Sequence, residues 1–153
     1  MSDELIHLEL RYSSLKQHYY RKTSERTKSY NCVAYVANDF DRPWWPVPYQ
    51  APYYWPIENE EEDESLAEFI EAFNFLGYES CNNGNLENEY QKIVIFVDEE
   101  GLPAHMAKQL STGKWTSKCG DLEDIEHDLE ALIGEDSQGE GYGTIACFMK
   151  KSS

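Results

Sequence analysis

The sequence predicts one α+β domain, residues 1–153, in which an antiparallel sheet of about four strands packs against helices. A length of 153 residues fits a single domain. A capped amphipathic stretch at residues 65–76 is typical of a helix. Three short apolar segments between residues 90 and 118, separated by glycine-containing turns, are typical of antiparallel strands.

The N-terminal segment, residues 1–30, is predicted to be an arm. The alternation of Leu8, Leu10 and Tyr12 indicates a short strand or an extended segment. Residues 11–28 carry six basic residues and one acid. This basic stretch either gives a thiolate an electropositive neighbour or, as we prefer, is a solvated face that pairs with the protein's own acids.

A predicted helix and a long excursion follow the arm. Asn31 suits the N-cap of a helix over residues 32–37, because its side chain accepts a hydrogen bond from the first turn. Residues 40–57 contain five of the six prolines and seven of the 21 aromatic residues. That proline density excludes a helix or a central strand. Residues 40–64 are therefore predicted as an extended arm that ends in an acidic turn.

The second predicted helix spans residues 65–76. Ser65 and Glu68 form a capping box, apolar residues recur on one stripe, and Gly77 suits the C-terminal cap. Residues 80–88 are predicted to be a loop.

The C-terminal half supplies the predicted sheet. Three strands follow one another, at residues 90–97, 104–110 and 114–118. Apolar residues at helical spacing predict a helix over residues 121–133, and a loop follows it. The continuously apolar segment 144–149 is predicted to be a central strand.

The net charge of -16 excludes several classes of partner. Nucleic acids and anionic membranes are bound through cationic side chains, so we expect neither. No apolar run approaches the ~18 residues of a spanning helix, and the N-terminus lacks the blocks of a signal peptide. A cytoplasmic location is expected, where the four cysteines stay reduced. They form no CxxC pair, and neither a metal nor a cofactor is predicted.

Cys32 and His105 are the only pair of side chains for which the sequence suggests covalent chemistry. Cys32 lies at the start of a predicted helix, where the helix dipole stabilises a thiolate, unless it is simply a buried apolar thiol. His105 lies within a predicted strand and would act as the base, unless it is a hydrogen-bonded structural histidine.

A third residue, within 117–121, would orient the imidazole, and its identity depends on the turn between the two strands. If Ser111 pairs with Lys114, Lys118 lies diagonal to His105. The register in which Ser111 pairs with Gly113 brings three other residues near the imidazole: Cys119 opposite it, and Ser117 and Asp121 on the diagonals. Asp121 is the better chemical choice, because a carboxylate fixes the imidazole tautomer, although it also suits the N-cap of the next helix.

Two further groups have both a structural and a functional interpretation. His127 falls off the apolar stripe of its predicted helix and is expected to face solvent. A zinc site that combines it with Cys32, His105 and Cys119 has no support from the spacing. Four aromatic residues form either a platform for a substrate or partner, or a clamp that buries its own rings, which we prefer: Trp44, Trp45, Tyr54 and Trp55.

Several strings of residues resemble a family of short, uncharacterised bacterial proteins described as a domain of unknown function. They include YNCVAYVAND, WWP, LGYE, PAHMAKQL, GKWTSKCG and DIEHDLEAL, and the resemblance covers residues 15–151. The order of a helix-start cysteine and a strand histidine also resembles papain-like thiol hydrolases. That resemblance implies Cys32 as nucleophile, His105 as base and a polar third residue on the next strand. The chain lacks the CGSCW-type segment of the larger proteases.

Two functions are therefore expected as alternatives. One is a papain-like cysteine hydrolase or acyl transferase that acts on an amide or ester bond, with a protein or peptide as substrate. The other is an acidic module that binds a basic protein partner without catalysis, such as an inhibitor, immunity or accessory protein.

Overall fold

One antiparallel sheet of seven strands dominates the computed structural model, which describes residues 5–153. The strands in chain order are β1 Tyr20–Ser24, β2 Glu79–Cys81, β3 Tyr90–Val97, β4 Pro103–Gln109, β5 Trp115–Lys118, β6 Asp124–His127 and β7 Thr144–Ser152. Across the sheet their order is β1-β6-β5-β4-β3-β7-β2. The predicted α+β class is confirmed, and the predicted count of about four strands was too low.

Three α-helices accompany the sheet in the described part of the chain: α1 Ile6–Arg11, α2 Cys32–Val36 and α3 Leu66–Phe75. Two of the three predicted helices, those at residues 32–37 and 65–76, are present with their predicted N-caps. The Asn31 side chain accepts from the Ala34 N–H, and the Ser65 hydroxyl from the Glu68 N–H. The capping box is only half formed, because the Glu68 carboxylate accepts from the Trp55 indole instead.

The predicted N-terminal arm is part of the fold. Its first four residues lie outside the described residues. The predicted strand at residues 8–12 was wrong, because Leu8 and Tyr12 are buried while Leu10 is 74% exposed. A spacing of four residues places the two buried side chains on one face of α1. The chain then passes through a 3₁₀ turn, Ser13–Gln17, and enters the sheet as the edge strand β1.

The predicted helix over residues 121–133 was also wrong. The segment holds β6, which joins β1 to β5 by antiparallel pairing, and a 3₁₀ turn at Leu129–Leu132. Its apolar spacing fits this arrangement too, because Ile125 is a buried residue of β6 and Leu132 is a buried residue of the 3₁₀ turn.

Two smaller corrections concern the other end of the sheet. The predicted loop at residues 80–88 contains part of β2, and β7 is second from the edge rather than central.

The sheet separates two hydrophobic cores. The α1 core lies on one face and includes Leu8, Leu15, Phe96, Ala107 and Tyr142. The α2–α3 core lies on the other face and includes Cys32, Trp44, Phe69, Ile95 and Met106. Successive strand residues point to opposite faces, so neighbouring residues of β3 and β4 enter different cores.

The pairing of β4 with β5 is short. It consists of Lys108 with Thr116 and Gln109 with Trp115. The pairing ends there although β4 begins at Pro103 and β5 continues to Lys118. Helix α2 packs against both strands. No helix of the described residues is long and apolar enough to cross a membrane.

The turn into β7 gives a test of the fold. Gly143 has φ +97° and a Cβ there would overlap the carbonyl oxygen of Val97, so we expect Gly143→Ala to lower the free energy of unfolding by about 3 kcal/mol or more. Gly101 is the matched control, because it has φ +82° but nothing within 4 Å of its would-be Cβ. Gly101→Ala should cost only about 1 kcal/mol. Urea unfolding of both variants measures this, and equal losses would contradict the packing argument.

Candidate functional site

Cys32 is the first residue of α2 and belongs to the α2–α3 core. The residue is 8% exposed. Burial raises the pKa of its thiol to about 11, and the nearby backbone N–H groups of Met106 and Val33 oppose that rise without reversing it. Helix α2 has only five residues, so its dipole is small. The predicted nucleophile is therefore a protonated, enclosed thiol at neutral pH.

His105 faces the α1 core. It lies in β4 and is 2% exposed, with its ring stacked on Tyr142 at a centroid distance of 3.9 Å. Neither ring nitrogen has a hydrogen-bond partner among the described residues. Burial lowers the pKa of the imidazole well below its usual value, so the ring is neutral. The structure does not bring Cys32 and His105 into hydrogen-bond contact, and the catalytic pair stays a prediction.

The three candidates for the orienting residue are engaged elsewhere or exposed. The observed register of β4 and β5 is the one in which Ser111 would pair with Gly113. That register would place Ser117 diagonal to His105, but the pairing ends at Lys108 and Thr116, and the Ser117 hydroxyl bonds to His127. The Lys118 ammonium donates to the Leu122 carbonyl. Asp121 is exposed in the turn before β6 and caps no helix, because no helix follows it.

His127, expected to face solvent, is fully buried. The expectation was wrong because His127 lies on β6, where it faces the α1 core. Its Nε2 atom is 2.8 Å from the Ser117 hydroxyl, and its Nδ1 atom is 2.8 Å from the Asp128 carbonyl. Burial lowers the pKa of His127 to about 4. Within residues 5–153, no group of three or more His, Cys, Asp or Glu side chains has an arrangement that could hold a metal ion.

Four aromatic residues of the proline-rich segment are buried or half-buried, whereas Phe40, Tyr49 and Tyr53 are exposed. Trp44 and Trp55 are 6% and 5% exposed, and their indole N–H groups donate to Asp39 and Glu68, each at 2.8 Å. Trp45 is half-buried and its ring meets the Phe69 ring edge-on. Tyr54 is half-buried under a guanidinium, with the Arg42 Cζ atom 3.5 Å from the ring centroid. This is the arrangement of a clamp.

The acidic turn at residues 58–64 is held in place by Asn59, which sequence reasoning missed. The Asn59 side chain is buried and donates to the carbonyls of Pro46 and Asp63, at 3.0 and 2.9 Å. Its Oδ1 atom accepts from the Asp63 N–H at 2.9 Å. Around it, Glu58, Glu60 and Glu61 are exposed. The signal was the single amide within a run of acids, a residue type that favours turns.

A buried ion pair was also missed, because the wrong helix placed Asp124 in the wrong element. Lys118 and Asp124 face each other across β5 and β6, 0% and 1% exposed, with Nζ and Oδ1 4.0 Å apart. The Tyr30 hydroxyl donates to Asp124 Oδ2 at 2.6 Å, while Oδ1 accepts no hydrogen bond from the described residues. Burial raises the pKa of Asp124 and lowers the pKa of Lys118.

The basic stretch at residues 11–28 pairs with acids of the same chain. Arg21 contacts Glu126 at 3.3 Å, and Lys22 contacts Glu25 at 2.5 Å. Arg26 lies 3.8 Å from Glu123. These three of the six basic residues favour the interpretation of the stretch as a self-paired, solvated face.

The unpaired imidazole of His105 makes stability depend on pH. Because its folded-state pKa lies below its usual value, the stability that depends on its neutral form is present above about pH 6.5 and is lost as the pH falls. We expect His105→Phe, which keeps a ring on Tyr142, to lose about 2 kcal/mol less than the wild type between pH 7 and pH 5. Urea unfolding at the two pH values measures this difference.

The control for this experiment is His18→Gln, since His18 is exposed. Its loss of stability between the two pH values should equal that of the wild type. An unchanged pH dependence in His105→Phe would contradict the assignment of a neutral, buried imidazole.

Comparison with known proteins identifies a family and nothing more specific. No curated protein and no solved structure matches the chain. The sequence does match, over residues 21–150, the family described as Domain of unknown function (DUF7689). The match includes every strand from β2 to β6, the helices α2 and α3, and the clamp between them. Since it spans most of the chain, this protein belongs to the DUF7689 family.

Proposed function

We propose that this protein is an acidic module that binds a basic protein partner without catalysis. The observation that carries the proposal is the turn at residues 58–64, whose backbone is held by the buried side chain of Asn59 and which exposes the side chains of Glu58, Glu60 and Glu61. The net charge of -16 supports the same partner class, because a field of one sign steers an oppositely charged protein to its surface.

The well-defined conformation of this turn favours binding. A second contact ties it to the aromatic clamp, since the Gln50 amide donates to Glu62 at 2.8 Å. The Asp63 carboxylate also accepts from the Ser65 N–H, which joins the turn to the start of α3. A surface that is ordered before it meets its partner loses less conformational entropy on binding.

The second candidate is the papain-like cysteine hydrolase or acyl transferase expected from the sequence. One observation favours it: Cys32 begins a capped helix, with backbone N–H groups next to its sulfur. Such groups stabilise a thiolate or an oxyanion. In that case the Cys32 thiol would attack the amide or ester carbon and lose its proton to His105, which would pass it to the departing amine or alcohol. Water or another acceptor would then release the acyl group from the sulfur, and His105 would have to come within hydrogen-bond reach of the thiol.

The rates of alkylation separate the two candidates. With a pKa of about 11, the Cys32 thiolate fraction at pH 7 is about 10⁻⁴. We expect Cys32 and Cys119, both buried, to react with iodoacetamide more slowly than the half-buried Cys81 and Cys147. Peptide mass spectrometry of samples labelled at pH 6 and pH 7 gives the rate at each cysteine.

Labelling in urea, where all four thiols are exposed, provides the reference rate for each site. If Cys32 is the fastest-reacting thiol of the folded protein at pH 6, the hydrolase becomes the better account. The description of Cys32 as an enclosed, protonated thiol would then be wrong.

Neutralisation of the acidic turn tests the binding module. We expect Glu58→Gln, Glu60→Gln and Glu61→Gln together to weaken the capture of basic proteins from a native cell extract about tenfold at low salt, with capture lost at high salt. The matched control removes the same charge from exposed residues elsewhere: Glu100→Gln, Glu130→Gln and Glu135→Gln. If both triple variants lose capture equally, the turn is not the binding surface.

A further inference from the structure

Tyr30 lies between the solvent and the buried Lys118–Asp124 pair. Its hydroxyl donates to Asp124, and its ring centroid is 5.2 Å from the Lys118 ammonium. The ring itself is half-buried and forms part of the wall of a surface groove that Lys28 and Asp121 also line. Tyr30 therefore lines this groove and also contacts a charged pair that has almost no exposed area.

The pair beneath Tyr30 is incompletely satisfied. The Lys118 Nζ and Asp124 Oδ1 atoms are 4.0 Å apart, too far for a hydrogen bond, and Oδ1 accepts none from the described residues. The groups that face Asp124 from the sheet are the Ser24 hydroxyl of β1 and the more distant Lys108 ammonium of β4. A buried charge without full hydrogen bonding is unfavourable, so exposure of the pair to water costs less than exposure of an apolar core.

The segment that carries Tyr30 is joined to other parts of the protein mainly by exposed side-chain contacts, those of Arg26 with Glu123 at 3.8 Å and with His7 at 3.3 Å. Residues 25–31 form neither helix nor strand. At their end Asn31 is fixed, because it caps α2 and exchanges two hydrogen bonds with the Trp44 backbone. Tyr30 is thus the last residue that can swing without loss of the cap. Its ring is stacked on Tyr35 at 6.0 Å and meets the edge of Phe40 at 5.3 Å.

We propose that Tyr30 is a gate over the Lys118–Asp124 pair, and that movement of residues 25–31 alone opens the pair to small solutes while the sheet and α2 stay folded. In the closed state the phenol supplies a hydrogen bond to Asp124 and the ring covers Lys118. In the open state the groove reaches an amine and a carboxylate that face each other. This gate is independent of the acidic turn and of the partner proposed for it.

Acylation of Lys118 measures the open state. A small N-hydroxysuccinimide ester reacts with neutral amines, and peptide mass spectrometry gives the rate at each lysine. Tyr30→Phe removes the hydrogen bond to a charged acceptor and keeps the ring, so Lys118 should react at least about tenfold faster than in the wild type. The exposed Lys16 serves as the internal reference.

Tyr35→Phe is the matched control. It also removes one hydroxyl from the same aromatic cluster, where Tyr35 is 2.7 Å from the Thr116 hydroxyl, but that hydroxyl does not contact the pair. Lys118 should react at the wild-type rate in this variant. An unchanged rate in Tyr30→Phe, or an equal increase in both variants, would overturn the gate.

The wild-type protein gives a second test that needs no variant. Movement of one short segment exposes little surface, so the rate at Lys118 should be nearly independent of urea well below the unfolding transition. Access that requires global unfolding would make the rate rise steeply with urea, along with the rate at the buried Cys119. That steep rise would also overturn the gate.

Discussion

The alternation of side chains along β4 is the constraint on which the rest of this structure depends. Met106 points into the α2–α3 core, and the residue before it, His105, stacks on Tyr142 in the α1 core. The cysteine at the start of α2 has the Met106 N–H beside its thiol and makes no hydrogen bond to the imidazole, although it interacts electrostatically with Cys119 and Tyr142 of the α1 core. The order of a cysteine and a later histidine along the chain therefore does not establish that their side chains meet. Strand parity decides whether the two side chains share a site.

Local signals were sufficient for about half of the fold. The caps at Asn31 and Ser65 predicted α2 and α3. The turns of the middle segment predicted β3, β4 and β5, and each predicted strand end lies within one residue of the observed end. The rest depended on partners distant in sequence. The apolar spacing of β6 predicts a helix. The segment is a strand because β5 and β1 pair with it on either side.

At the candidate site, too, the features set by local signals were predictable, and those set by residues distant in sequence were not. The cap next to Cys32 was predictable, because a cap is decided by the first turn of a helix. The burial of the Cys32 thiol, the two unpaired nitrogens of His105 and the Lys118–Asp124 pair were not, since each depends on which strands become neighbours. The choice between two registers at the turn after β4 could be stated from the sequence, but only the structure selects one of them.

The distribution of charge connects the fold to the proposed function. Three basic residues of β1 and of the segment after it pair with acids of the same chain: Arg21 with Glu126, Lys22 with Glu25 and Arg26 with Glu123. These pairs use positive charge at one edge of the sheet, whereas the contacts of the acids in the turn at residues 58–64 come from uncharged groups: the Trp45 indole, the Gln50 amide and the Ser65 N–H. Such exposed pairs contribute little to stability. Their larger effect is on the field of the protein, because they leave that turn as a fixed negative surface toward which a basic partner is drawn.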